Sequence, residues 1–522
     1  MKLKIWRLLP VVAVLIWLLV GIYGVIFNIS YIDEAKYLIK GWLIFTKQIS
    51  YYSTPEFFYQ HMPGGWLWYG LGQKMFGPSL LAGRVQSFLT GLLVVGCSYL
   101  LGKRLAGKRG GVITIALLSL APVTAFYYSA AVPQSLVILM LLLGFIFLYD
   151  GLVKKSSKRF LLASSFFSLA FIVRENFLFT LILYLGFLAV IFRNKLKPLL
   201  KHLMVIAITL GIFILPGYPG TIEVLRNFPK VSYLLPISSA EKEVLSLYWK
   251  EGLQNPSLYF LALRDFGVIF HAWSLVILWL VIINWQKIKN LSLKISLSPK
   301  QLYWRFLIGI TGFNFLIHSW AAFKLSPRAI VSYFAYVAPL TAVVMAKYLC
   351  DWMKTKKKEK MVIMAYAILL LLVPVGLRFA RIFAIPTRNP DLRMITKSAD
   401  KLQPIVKGKD KIVWVSEPIS LYLAGRVSYY PLINHTGFYK LSNDTKTVKA
   451  LGFWNQEMLE EWLNEADLVV IGDAKLQLLM ESHQGISLAR FIKEQLGQKF
   501  DLIDRRNDLW PGGLSFYLPK GL

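Results

Sequence analysis

Charged residues are scarce: 17% of this 522-residue chain, against about 25% in a soluble globular protein. Beside a hydrophobic content of 56%, that shortage excludes a soluble enzyme, a disordered tail protein and a fibrous protein. It points to a polytopic α-helical membrane protein. Cysteine is scarcer still. Cys97 and Cys350 stand far apart, in or beside apolar runs, and cannot form a disulfide framework. The histidines (His61, His202, His271, His318, His435 and His483) show no metal-ligand spacing, so no catalytic metal and no cofactor is expected. No repeat of the kind found in transporters built from paired halves is visible. Acids are the rarer charge, 28 against 59 Lys+Arg, giving a net +31. A nucleic-acid partner would need that excess gathered on one basic face. Residues 385–522 hold 18 basic against 16 acidic residues, so +29 lies in the hydrophobic part, where short basic loops set membrane topology. Nucleic acid is therefore excluded as a partner.

What is present is a succession of apolar spans. The first runs to Phe27 behind the basic start MKLKIWR and lacks a small-residue cleavage site, which reads as an uncleaved helix. Others follow at 82–101, 111–129, 132–150, 160–173, 176–192, 203–221, 264–284, 306–322, 329–349 and 361–383. That makes about eleven helices for a hydrocarbon layer of ~30 Å. With the N-terminus in the cytoplasm, the cytoplasmic loops are GKRLAGKRG, GLVKKSSKR, FRNKLKPLLK, QKIKNLSLKISLSPKQLYWR and KYLCDWMKTKKKEK, with 4, 4, 4, 5 and 6 basic residues. Of the twelve acids before residue 385, only Asp150, Asp351 and Glu359 fall on that side. The outer side then receives the loop 29–81, the loop 222–263 and the tail 385–522. The expected location is the cell membrane, multi-pass, with the N-terminus inside. The division is a transmembrane part, 1–384, and an extracytoplasmic domain, 385–522. The tail mixes strand-like runs (KIVWVS, RVSYYP, ADLVVIG, LSFYLP) with helical NQEMLEEWLNEA and reads as a small α/β domain without a Gly-rich phosphate loop.

The first outer loop carries the chemistry. Asp33 and Glu34 follow the first span directly. From Asp33 to Phe45 the apolar residues Tyr37, Leu38, Trp42 and Phe45 recur at helical spacing, and the stretch also carries Lys36 and Lys40, with Lys47 just beyond it. That pattern suits an amphipathic helix along the membrane surface. A second helix, Gly65–Phe76, is rich in Trp and Tyr, as interfaces are. Acids at a helix start also complement its dipole, which is a purely structural reading of the pair. Basic residues recur at the outer ends of spans: Arg84, Arg174, Arg264, Lys324 and Arg328. Arg174 interrupts an apolar run, where a charge needs water, a partner or a ligand. It serves either an ion pair with Glu175 or Asp33, or an anion site. One base and several cations suit a phosphate-linked lipid substrate: the cations hold the phosphate, and the carboxylate takes a proton from an acceptor hydroxyl.

In order and topology these features resemble the membrane glycosyltransferases of the GT-C fold. The nearest branch is the protein O-mannosyltransferase and aminoarabinose-transferase-like group. YIDEAKYLIKGWL resembles the acidic first-loop motif, HMPGGWLWYGLGQKMFGPSLLAGR the His/Lys-Pro-Pro segment with its aromatic helix and following Arg, and SPRAIVSYFAYVAPLTAVVMA the late Arg-aromatic-Pro helix. The likeness spans roughly residues 1–350. It implies a polyprenyl-phosphate-sugar donor, an extracytoplasmic acceptor (protein, lipid or glycan), Asp33 as catalytic base and Glu34 as its support. Arg174, Lys324, Arg328, Arg84 and His61 are the substrate-binding candidates. The chain departs from the pattern at Pro63-Gly64, where relatives have Pro-Pro, at Gln134, where many have an acid, and at Arg174, where Lys is common. The Asp-x-Asp of the metal-using oligosaccharyltransferases is absent. The expected activity is transfer of a hexosyl or pentosyl unit with inversion. A transporter or lipid flippase would share the helices but does not account for the acidic first loop or the single large outer domain; a third reading is a non-catalytic assembly or receptor protein whose tail binds the ligand.

Overall fold

The structure is a computed structural model. It describes residues 2–28, 32–49, 62–121, 123–218, 298–325, 334–353, 355–379, 391–427, 439, 441, 442, 444–450, 454–480, 483–510 and 512–521. In chain order the helices used below are α1 (Lys2–Phe27), α2 (Ile32–Phe45), α3 (Pro63–Phe76), α4 (Leu80–Ser119), α5 (Gln134–Leu152), α6 (Ser157–Val173), α7 (Leu178–Ile191), α8 (Leu196–Ile214), α9 (Pro299–Leu325), α10 (Ala338–Trp352), α11 (Lys356–Phe379), α12 (Leu392–Val406), α13 (Pro418–Leu423), α14 (Gln456–Asn464) and α15 (His483–Lys499). The expected span 264–284 lies outside the described residues.

The described residues form two compact units. The first takes Met1–Val25, Val85–Leu215 and the helices α9, α10 and α11; the second takes Ile26–Arg84 and Pro386–Leu522.

The first unit is helical. Among the described residues, four helices are long and apolar enough to cross a membrane: Leu8–Phe27, Leu80–Ser119, Gln134–Leu152 and Leu196–Gly217. The 40-residue α4 is two spans joined by a reversal. Ala106 leaves helical geometry, and Gly107 takes φ 73°, ψ −172°, which favours glycine. The arms close tightly because Gly102 and Gly110 face each other: a Cβ on Gly102 would stand 2.9 Å from the Gly110 carbonyl oxygen. The basic connections are tied to one another. Asp150, buried at the end of α5, receives Arg104 at 3.1 Å, Lys154 at 2.7 Å and Arg159 at 2.9 Å. Arg109 meets Glu359 of α11 at 3.7 Å. Three of the loops read as cytoplasmic thus share one end of this unit.

In the second unit, four strands build a mixed sheet in the order β1-β2-β4-β3: β1 (Ile412–Val415), β2 (Leu468–Gly472), β3 (Phe500–Arg506) and β4 (Leu514–Pro519). β1 and β2 run parallel; β4 is antiparallel to β2 and to β3. Strand alternation separates two cores. Ile412, Trp414, Leu468, Val470 and Phe516 pack with Leu402 and Val406 of α12 and Leu421 of α13. Val413, Val415, Val469 and Ile471 pack with Leu459 and Trp462 of α14 and Leu488 and Ile492 of α15. Covered on both faces, β1 and β2 need no polar side, which is why KIVWVS and ADLVVIG are continuous apolar runs. Asp391 and Asn455 cap α12 and α14 by accepting from the Met394 and Met458 amides, at 3.0 and 3.1 Å. RVSYYP, expected as a strand, lies mostly outside the described residues. The strand β3 was not expected: FDLIDRR sits at the sheet edge with much of it exposed, so no apolar alternation announces it.

Candidate active site

Helices α2 and α3 form the platform of the second unit. They touch backbone to backbone at Gly41 and Gly70: a Cβ on Gly41 would meet the Gly70 nitrogen at 2.5 Å and the Trp66 carbonyl oxygen more closely still. The Lys40 ammonium lies 3.0 Å from the centre of the Trp66 ring, and burial holds its pKa well below the usual lysine value. Tyr37 and Tyr69 meet across the same seam with ring centres 6.1 Å apart.

The lysines of this amphipathic helix do not line a solvated face. Ala35, Lys36, Tyr37, Leu38, Ile39 and Lys40 are all buried. The reason is tertiary: α3 covers one side of α2, and α13 from the tail packs on it as well. Tyr422 of α13 donates to Gln73 of α3 at 3.0 Å. Gln73 in turn donates to the Ser79 carbonyl at 3.1 Å and accepts from the Ser79 amide at 2.8 Å, fixing the turn into α4.

On this platform the two adjacent acids have opposite fates. The Glu34 carboxylate is fully buried and accepts two hydrogen bonds from Arg84 of α4, Nε to Oε1 and Nη2 to Oε2, both 2.9 Å. This is the bidentate geometry that makes arginine–carboxylate pairs specific. Arg84 has no exposed side-chain surface, and with its fork filled by Glu34 it is not carried forward as a phosphate ligand. Asp33, one residue earlier, turns outward. Its side chain is 53% exposed and meets the Lys36 ammonium at 3.3 Å, one turn along the same helix. Helical geometry is the cause: neighbours are about 100° apart around the axis, so one acid can face inward while the other faces out.

The cations expected around a phosphate are placed as follows. Arg174 belongs to the first unit and stands between α6 and the short 3-10 turn Glu175–Phe177 in an extended conformation, φ −151°, ψ 120°. Its Nε lies 3.7 Å from Glu175 Oε1, and its side chain keeps 15% exposure against 3% for Glu175. Phe177, His318 and Tyr336 gather beside this break, with ring centres 5.2–5.5 Å apart. His61 and Arg328 lie outside the described residues, as does the side chain of Lys324. The structure thus brings together Glu34 and Arg84, sets Asp33 beside Lys36, and holds Arg174 in the other unit.

Residues 60–217 match the sequence profile of the dolichyl-phosphate-mannose-protein mannosyltransferase family. Among solved structures, the chain is similar to ArnT from Cupriavidus metallidurans bound to undecaprenyl phosphate: 12% identity, TM-score 0.58, covering 98% of this chain and 97% of that one. The protein has the GT-C fold. The GT-C likeness extends to the oligosaccharyltransferase of Archaeoglobus fulgidus in complex with Zn and sulfate, at 13% identity and TM-score 0.50, covering 98% of this chain and 73% of that one. No curated protein sequence matches the chain.

Sequence reasoning missed the contribution of the tail to the platform. Glu417, at the N-cap of α13, sits among Lys36 and Lys475. Burial pushes its carboxyl pKa up, opposed by the two ammonium groups. Gln73 and Tyr422 are 349 positions apart. No local pattern reports such a pairing; the one available hint was a Gln beside the single Lys of a largely apolar and aromatic helix.

Proposed function

We propose that this protein is a multi-pass glycosyltransferase of the cell membrane. It takes a sugar from a polyprenyl-phosphate carrier and passes it to an acceptor hydroxyl outside the cytoplasm. The observation that carries the reading is the division of labour between the two acids: Glu34 is committed to Arg84, while Asp33 presents its carboxylate outward beside Lys36. Asp33 accepts the proton of the acceptor hydroxyl. The acceptor oxygen attacks the anomeric carbon, the bond from that carbon to the phosphate oxygen breaks, and the carrier leaves as a phosphate anion. That leaving group needs cations rather than a general acid; Arg174, Lys324 and Arg328 supply them, and His61 contacts substrate. With Asp33 as the base and no second carboxylate proposed as nucleophile, a single displacement inverts the anomeric centre. The fold shared with ArnT, whose structure holds undecaprenyl phosphate, supports the class of carrier, and the family match over residues 60–217 supports a transferred sugar.

Purified protein incubated with labelled polyprenyl-phosphate sugar is expected to release polyprenyl phosphate, by transfer or by slow hydrolysis. A donor that stays intact overturns the reading and favours transport. In the same assay Arg174→Ala is expected to reduce donor use severely at normal membrane yield. Arg174→Lys is expected to retain part of the activity, because charge survives while the planar fork is lost. Loss of the Arg174→Ala protein from the membrane would mark the Arg174–Glu175 contact as structural only. For orientation, a reporter active only outside the cytoplasm should work after Leu522 and stay silent after Lys358; the reverse pattern defeats the placement of Asp33.

A further inference from the structure

At the end of the first unit where its basic loops meet, away from Asp33 and Arg174 in sequence, an apolar groove of about 400 Å³ opens between four helices. Leu9 of α1, Ile113 and Leu117 of α4, Leu349 of α10 and Met361 and Ile368 of α11 line it. The volume falls within the range of about 300–1,000 Å³ typical of small-molecule sites. The groove is open along α11, where Met361, Met364 and Ile368 are 43–62% exposed. Its polar lining group, the Tyr366 hydroxyl, is already bonded to Ser119 at 2.7 Å, so among the described residues nothing in the groove asks for a polar ligand.

The mouth has a different character. Arg109 lies one helical turn before Ile113. Lys357 and Lys358 lie one turn before Met361 and Val362. The 3.7 Å contact between Arg109 and Glu359 places these two basic segments at the same end of the groove. Arg109 keeps 59% side-chain exposure there, and exposed pairs of that kind hold weakly. Lys358 lies 5.0 Å from the centre of the Trp352 ring, beside the same mouth. The opposing acids nearby are Glu359 and Asp351, the latter engaged by Lys347. The result is an apolar slot, open sideways, with a basic rim at one end.

An apolar slot alone does not select one lipid tail over another, since bilayer tails are as apolar as its walls. The rim selects. Clustered Lys and Arg at a membrane surface attract anionic headgroups. We propose that an anionic diacyl phospholipid of the leaflet facing the basic loops binds here as a structural ligand, with one acyl chain in the groove and its phosphate on Arg109, Lys357 and Lys358. This site is separate from the sugar-transfer chemistry and does not depend on that reading.

The test uses the full chain in detergent, titrated with phosphatidylglycerol or with phosphatidylcholine of identical acyl chains, and read by native mass spectrometry. Phosphatidylglycerol is expected to be retained on the intact protein at least tenfold more strongly than phosphatidylcholine. The triple variant R109A/K357A/K358A is expected to lose that preference, by roughly tenfold or more, since each basic residue contributes about fivefold. Met361→Trp, at an exposed position that tolerates bulk, is expected to block the slot and lower retention of both lipids. Glycerol phosphate, which has the anionic head without chains, is expected not to compete. Equal retention of the two lipids, an unchanged preference in the triple variant, or full competition by glycerol phosphate would each overturn the proposal. A thermal unfolding midpoint in detergent equal to wild type in the variants shows that they are folded.

Discussion

Asp33→Asn is expected to lower sugar transfer by roughly 10²-fold or more while leaving the protein folded in the membrane, because a positioned general base typically contributes 10²–10⁴-fold. Asparagine keeps the size of the side chain and a hydrogen-bond acceptor toward Lys36 but cannot take a proton from a hydroxyl. The structural loss is small. Asp33 lies in the first turn of α2 with half its side chain in solvent, and the favourable interaction of such an acid with the helix dipole is worth about 0.3–1 kcal/mol. The check is a comparison of initial transfer rates with donor binding and membrane yield. A base predicts normal binding and yield with transfer lost. A residue that only stabilises the helix start predicts transfer near wild type, and that outcome would remove Asp33 from the chemistry.

The second large effect belongs to Glu34 and Arg84. The sequence suggested that Glu34→Gln would be milder than Asp33→Asn, since a supporting residue can be replaced in part by water. The geometry argues otherwise for stability. Both partners are completely buried and joined by two hydrogen bonds of 2.9 Å. Removing one leaves a buried charge without compensation, a change that typically costs about 3–5 kcal/mol. Glu34→Leu and Arg84→Met should each lower the thermal unfolding midpoint sharply and reduce yield. The double variant should recover much of the loss, because a buried ion pair replaced on both sides by apolar groups is often neutral. A cycle of the four proteins, followed by thermal unfolding in detergent, measures this coupling. Additive losses in the double variant would show that the pair does not act as one unit.

Helix periodicity announced α2 and α3, and the interruption at Arg174 was visible as a charge inside an apolar run. These features are local: a few neighbouring residues determine them, so a reader of the chain can see them. The two acids looked equivalent for the same reason. What separates Asp33 from Glu34 is Arg84, fifty positions away, and the choice of which acid faces it depends on how α2 rotates against α3. That rotation is set by the contact of Gly41 with Gly70, two residues whose role in the sequence reads only as helix weakening. The burial of Lys36 and Lys40 was hidden because a lysine-bearing amphipathic pattern ordinarily means a solvated face; the covering helix α13 arrives from nearly four hundred residues downstream. The edge strand β3 escaped because its charged residues interrupt the apolar ones without alternation, and Leu502 and Ile503 are themselves exposed.

The glycine contact between α2 and α3 also decides how this region can be re-engineered. Neither helix can gain a methyl group at the crossing without meeting the backbone of the other, so the seam has no slack to absorb a foreign partner. A chimera that exchanges α2 alone, or α3 alone, would have to reproduce the fit at Gly41 and Gly70, the stacking of Lys40 on Trp66 and the register that delivers Glu34 to Arg84. The transferable block is therefore the whole stretch from Ile32 through the first turn of α4. Single-residue redesign is better sought on α13, which meets this block through side chains and can be altered one residue at a time.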